Sequence, residues 1–259
     1  MVSFRTIKFL TAGVASTVLL TSPGILPVNS ANGFGFLGFA TPAAAKDPIR
    51  YKPPTLPGPV RTAGTGSRTV GCAMDKPATL LPLVPDRHIG QTVSDRPPLL
   101  WYVVGAKSVE VTLVQPGVAK PIFEQTVQIH NPGIVQVNFP DNAPALQPGQ
   151  EYRWSVAVVC NPKRRTQDTA YTQAFIKRLP ASARLEQQLA AAKSDQERSR
   201  IYAEAGLWYD ALATLAKANA SDPANESIRA DFYSLLHQVG LNEAIANEQA
   251  LSQLGDEIK

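Results

Sequence analysis

The chain has 259 residues, 44% of them hydrophobic and 18% charged, a balance that fits a globular class. Its 22 prolines and 17 glycines require long irregular stretches. Two cysteines are too few for a disulfide framework and lack metal-site spacing, which leaves one bridge if the compartment is oxidising.

Arg5 and Lys8 precede the apolar run "FLTAGVASTVLL" at 9–20, and no acidic residue occurs before Asp47. A basic start, a short apolar run and small residues describe a secretory signal peptide over 1–45. Ala43 and Ala45 in "TPAAA" supply the small-x-small cleavage pattern. An uncleaved anchor is the rival reading, but Pro23, Gly24 and Pro27 interrupt the stretch before the roughly 20 residues a spanning helix needs. The expected location is the periplasm or the extracellular side, with membrane contact only during export.

Residues 46–66, "KDPIRYKPPTLPGPVRTAGTG", hold five prolines and read as an extended, Pro-rich linker without apolar residues to fold around. Beyond the signal, residues 46–180 carry 16 basic and 9 acidic groups, net +7; residues 181–259 carry 7 and 12, net −5. Opposite signs favour mutual docking, or contact of the first part with an anionic envelope polymer. Basic residues this scattered, on an exported chain, give no expectation of nucleic acid. The densest cluster, Lys163-Arg164-Arg165, reads as a solvated loop.

From 67 to 180 the apolar pattern has a period of two. In "EYRWSVAVVC" Tyr152, Trp154, Val156, Val158 and Cys160 share one face, with Glu151, Arg153 and Ser155 opposite. Val109, Val111 and Leu113 form a second such set; Phe123, Val127 and Ile129 a third; Val135, Val137 and Phe139 a fourth. "LLWYVV" at 99–104 is apolar on both faces, as a central strand is, and 170–179 supplies a late strand. With the stretches near 68–73 and 79–84, seven or eight short strands separated by Pro and Gly turns predict an antiparallel sandwich. "LQPGQEYRW" resembles the tyrosine corner of immunoglobulin-like and fibronectin type III domains, with the Tyr152 hydroxyl reaching back to the preceding backbone. Trp101 and Trp154 are then core residues rather than ligand aromatics.

Past Pro180 the period becomes helical. Leu185 and Leu189 lie four apart, Ser194 and Glu197 form a capping-box pair, and Gly206 ends the helix that follows. A further helix runs from about Trp208 to Asn219, and Asp222-Pro223 stops it and starts another. Gly206-Leu207 recurs as Gly240-Leu241 after 34 residues, with Tyr202 matching Leu236. Paired helices at that period resemble tetratricopeptide repeats. Two repeats and a leading helix are short of a free-standing solenoid, so the helices of 181–259 are expected to lean on the β part. Trp208 and Ala211 are expected in the repeat's own core, and Tyr209 and Asp210 on its outer surface, against the β part or exposed. The resemblance implies a binding groove lined by Gln196, Arg200 and Glu204 from one helix pair and Ser234, His237 and Gln238 from the next, with a peptide held through Arg200 and His237.

"GSRTVGC", "LLPLVP", "GQTVSDRPPLLWYV", "NPGIVQVNFP", "YRWSVAVVCNPKRR" and "IYAEAGLWYDALATLA" follow one another in the chain. In that order they resemble domain-of-unknown-function family 928, found mostly in cyanobacterial envelope proteins. The likeness covers about Ser67 to Leu254, "GLWYDAL" being its most specific block, while "GSRTVGC" departs from a more glycine-rich form. It implies export in a cyanobacterium and the same two-part, α+β layout, and it brings no catalytic residues.

The search for chemistry is negative. His88, His130 and His237 are isolated, Asp75, Asp86 and Asp95 form no calcium loop, and "GTGSRTVG" is neither a phosphate loop nor a nucleophile elbow. Asp86 near His88 lacks a nucleophile. The leading expectation is a non-catalytic envelope protein, without cofactor or metal, that binds or scaffolds another protein. The alternative is an anionic-glycan binder using the basic β part, and the third is a hydrolase with a site assembled from distant residues. Cys72 and Cys160 are expected to form a structural bridge, since neither a Cys-x-x-Cys nor an adjoining histidine favours redox or catalytic use. Closing about 88 residues, the bridge contributes on the order of 4.5 kcal/mol in the chain-entropy account. Thiol titration of the unreduced exported chain should find no free thiol; two would exclude the bridge.

Overall fold

The computed structural model describes residues 47–54, 78–159 and 171–257, with side chains to Leu251. The expected export signal, the strand expected near 68–73, Cys72, Cys160 and the Lys163-Arg164-Arg165 cluster lie outside the described residues.

Among the described residues eight strands precede five helices: β1 (Thr79–Pro82), β2 (Gly90–Thr92), β3 (Leu99–Val104), β4 (Ser108–Val114), β5 (Phe123–Gln128), β6 (Gly133–Val137), β7 (Glu151–Val158) and β8 (Tyr171–Arg178), then α1 (Ala183–Ala191), α2 (Asp195–Glu204), α3 (Trp208–Ser221), α4 (Glu226–Gln238) and α5 (Asn242–Glu257). The strands form a three-stranded sheet, β1-β3-β6, and a five-stranded sheet, β2-β8-β7-β4-β5. The architecture is α+β. No helix among the described residues is long and apolar enough to cross a membrane.

Alternation decides which strand faces are buried. In β7, Tyr152, Trp154, Val156 and Val158 are buried while Arg153 is exposed, and β4 buries Val109, Val111 and Leu113 completely. β3 is central in its sheet and apolar on both faces, as its sequence requires: Leu99, Trp101 and Val103 alternate with Leu100 and Tyr102, and all five are buried. The Tyr152 hydroxyl accepts a 2.7 Å hydrogen bond from the Gln147 backbone N–H, the back-reaching bond expected at this corner.

One pairing departs from the antiparallel expectation. β2 lies parallel to β8, Gly90 opposite Ile176. At three residues, β2 is too short to display a period. Parallel neighbours need a long crossover, and here the strands between them in the chain provide it.

The helical layer carries its own punctuation. Ser182 and Ser194 cap α1 and α2 by accepting from Leu185 N and Glu197 N. The Glu197 carboxylate reaches back to Lys193 N at 2.7 Å rather than to the cap residue itself. α4 begins at Glu226 under an Asn225 cap, later than the Asp222-Pro223 start expected from sequence, so Pro223 belongs to the turn. Gly206 and Gly240 both take positive φ, +78° and +84°, directly after their helices. At each, the residue after glycine bonds back to the matching partner, Leu207 N to Tyr202 O and Leu241 N to Leu236 O. These are Schellman closures. The 34-residue sequence repeat is therefore also a repeat of backbone geometry.

The helices lean on the sheets, as their number requires. Trp208 at the start of α3 donates its indole N–H to Leu83 O at 2.8 Å. The Tyr209 hydroxyl donates to Phe175 O of β8 at 3.0 Å and accepts from Trp154 Nε1 of β7 at 2.8 Å. All three aromatics are essentially fully buried. Trp208 thus serves the joint to the β part as well as the helices' own core, and Tyr209 and Asp210 are buried rather than exposed.

Gly90 of β2 makes the close approach possible. A Cβ there would stand 2.7 Å from Cε2 of Tyr209. Gly90→Ala should therefore destabilise the fold by about 1–3 kcal/mol in urea unfolding. A loss below about 0.5 kcal/mol would show that the ring steps aside freely and that the joint is loose.

Candidate functional site

The face shared by α2 and α4 is the candidate site, and it holds a segment of the chain's own N-terminal part. Residues 48–52 run along it with strand-like alternation: Ile49 and Tyr51 are buried, while Pro48, Arg50 and Lys52 are exposed. For residues 48–52 the linker reading of 46–66 is corrected here. "PIRYK" does contain something to fold around, two apolar groups spaced two apart.

The grip on this strap is directed at its backbone. The Gln238 carboxamide accepts from Tyr51 N at 2.8 Å and donates to Ile49 O at 2.8 Å. Asp231 accepts from Ile49 N at 3.1 Å through Oδ1 and from the Gln196 carboxamide at 2.6 Å through Oδ2. Arg200 reaches Pro48 O at 3.4 Å, and Lys52 N donates to Ala203 O at 3.0 Å. Lys52 O passes so near Gly206 that a Cβ there would stand 2.9 Å away. Gly206 is thus required twice, by its φ and by the strap.

The strap's side chains are received separately. The Tyr51 hydroxyl lies 2.7 Å from His88 Nε2. Its ring stacks on the imidazole at 5.6 Å and meets Trp208 edge-on at 5.1 Å. Burial pushes the Tyr51 phenol far above its ordinary range and lowers His88, with Asp86 opposing the second effect. His88 is engaged with Tyr51. Among the described residues no group of three His, Cys, Asp or Glu could hold a metal ion.

Of the six groove residues expected from sequence, Gln196, Arg200 and Gln238 join the strap's network, and Ser234 supports it by accepting from Gln238 through its backbone and hydroxyl oxygens. Glu204 and His237 are exposed. Arg200 reaches the strap's backbone at Pro48 O, and from α4 the strap's backbone is held by Gln238, not His237. Sequence reasoning missed Asp231, Ile49, Tyr51 and His88. Asp231 was findable, since Ser227, Asp231, Ser234 and Gln238 are spaced to share one face of α4.

Two buried carboxyls join the helices to the sheets nearby. Asp210 of α3 accepts from Val93 N at 3.1 Å and is also bonded by Thr92 and Ser94. Burial nevertheless raises its pKa from 3.8 to about 6. Glu248 of α5 is bonded by the Ile134 backbone of β6 and is raised by burial from 4.5 to about 7. Tyr102 and Tyr233 lie close enough for the Glu248 charge to raise their own pKa values further.

Two β-sheets that share a core with a helical layer, against which residues 48–52 lie in extended form, define an α+β protein. The chain belongs to the family described as Domain of Unknown Function (DUF928), whose model matches residues 63–250. The match includes α2 and α4 and stops short of the strap. No curated protein matches the chain.

A raised carboxyl favours the protonated fold. Its contribution is complete below the ordinary carboxyl pKa and is lost as pH rises through about 6 for Asp210 and about 7 for Glu248. Urea stability should accordingly fall between pH 5 and pH 8 by on the order of 2 kcal/mol per group. Asp210→Asn with Glu248→Gln should flatten that slope; an unchanged slope would mean that other groups set it.

Proposed function

We propose that this protein is a non-catalytic, exported interaction scaffold of the cell envelope, in which the sheets are the mount and the helices the contact surface for another envelope protein. In this reading the two sheets are an immunoglobulin-like sandwich, supported by the Tyr152 hydroxyl bond to Gln147 N. The helices are a tetratricopeptide-like layer, supported by the paired Schellman closures at Gly206 and Gly240. Export rests on the signal-like 1–45 segment, and a cyanobacterial envelope on the family resemblance.

One observation carries the proposal. The α2/α4 face holds an extended segment through side-chain bonds to backbone N–H and C=O groups, using Gln238, Asp231 and Arg200. Bonds to the backbone are available to any extended peptide, whereas the two buried side chains, Ile49 and Tyr51, are what discriminate.

The test is a crosslinking pull-down from envelope extract, using chain 46–259 beside the same chain with Arg200→Ala and Gln238→Ala. A protein captured by the first and reduced at least tenfold by the second is expected. Equal capture by both, or recovery only of salt-labile carbohydrate, would overturn the reading and move the search to the basic β surface.

A further inference from the structure

Residues 48–52 sit in the α2/α4 face as a ligand would, and three features separate them from an ordinary structural edge. They join no sheet: their backbone bonds go to Asp231, Gln238 and Ala203. They are tethered to β1 through residues 55–77, a stretch of 23 residues rich in Pro and Gly. They also precede the matched family residues, whereas the face that grips them lies within the match.

Resting on the scaffold reading above, we infer that residues 48–52 are a built-in competitor for the clamp, and that the clamp's partner presents an extended basic segment with the pattern aliphatic-x-tyrosine. Ile49 enters the buried position beside Asp231, and Tyr51 places its hydroxyl on His88 and its ring against Trp208. The residues between and after them, Arg50 and Lys52, are exposed above a helical region, 181–259, of net charge −5 from 7 basic and 12 acidic residues. A partner segment of the same pattern inherits both the side-chain fit and the charge attraction.

Tethering sets the threshold for such a partner. Covalent attachment makes the strap an intramolecular ligand, with an effective concentration on the order of 1 mM when such a tether is short. If the segment's Kd in trans is about 10 µM, the docked strap weakens a competing ligand about a hundredfold. The strap thus excludes weak ligands and admits segments that match it closely or arrive at high local concentration.

The experiment uses a fluorescent peptide of residues 46–54, KDPIRYKPP, and chain 46–259 with its strap intact or carrying Ile49→Asp. Anisotropy should show the strap variant binding the peptide at least ten times more tightly than the unmodified chain. Adding Gln238→Ala should remove that gain, and a peptide with its own Ile→Ser and Tyr→Ala changes should not bind. Absence of peptide binding by a strap variant with native circular dichroism would overturn the proposal. Hydrogen exchange on the unmodified chain tests it without any substitution. The Ile49 and Tyr51 amides should exchange well before those of α3; exchange of both only on global unfolding would make the strap a structural staple and sink the idea. Light scattering showing a strap-exchanged dimer would overturn the assignment to a partner. None of these readouts needs an envelope partner, so they fail separately from the pull-down.

Discussion

Three aromatic side chains with polar ends must be buried together where the helices meet the sheets, and the molecule is arranged around giving each a partner. An indole N–H or phenol hydroxyl sealed from water without a hydrogen bond costs about 1–3 kcal/mol. Trp208 finds Leu83 O, Trp154 finds the Tyr209 hydroxyl, and Tyr209 in turn finds Phe175 O. Each bond joins the helical layer to the β part. The joint can therefore form in one register only, and β2 carries glycine at Gly90 because the Tyr209 ring lies against it.

The same joint places the clamp. Trp208 begins α3 immediately after Gly206-Leu207, the closure that ends α2. Fixing the start of α3 against Leu83 therefore fixes the end of α2, and with it the passage where Lys52 meets Ala203 and Gly206. Tyr51 completes the arrangement by packing on Trp208 while bonding His88 from the β part. Strap, helices and β part thus meet at Trp208, which Tyr51 packs against and Leu83 O accepts from. Two buried acids also join the helices to the β part, Asp210 bonded by Thr92, Val93 and Ser94, and Glu248 by the Ile134 backbone. Burial outweighs those bonds in both, raising each carboxyl's pKa.

Much of the site was visible from α2 and α4 alone. Gln196, Arg200, Ser234 and Gln238 were expected to line one groove, and the structure joins all four in one network around the strap. His237 was expected beside them, but it lies one residue, about 100° of helix rotation, from Gln238, and the strap's bonds at the end of α4 are made by Gln238. Ile49 and Tyr51 escaped notice because prolines on both sides gave their segment the composition of a linker. Two apolar groups are too few to show a period.

By itself the sequence determined the local elements: the period-two strands of β4 and β7, the central position of β3, the Ser194 cap, and the repeated glycine closures at Gly206 and Gly240. Each depends on neighbours within a few residues, where residue type and spacing act directly on backbone conformation. Only the tertiary structure decided that β2 runs parallel to β8, that Tyr209 and Asp210 face the sheets, and that residues 48–52 fill the α2/α4 groove. These are pairings between segments far apart in the chain; Ile49 and Gln238, for example, are 189 positions apart. Such partners are chosen by the burial and hydrogen-bond satisfaction of the whole assembly, and no short window of sequence contains that information.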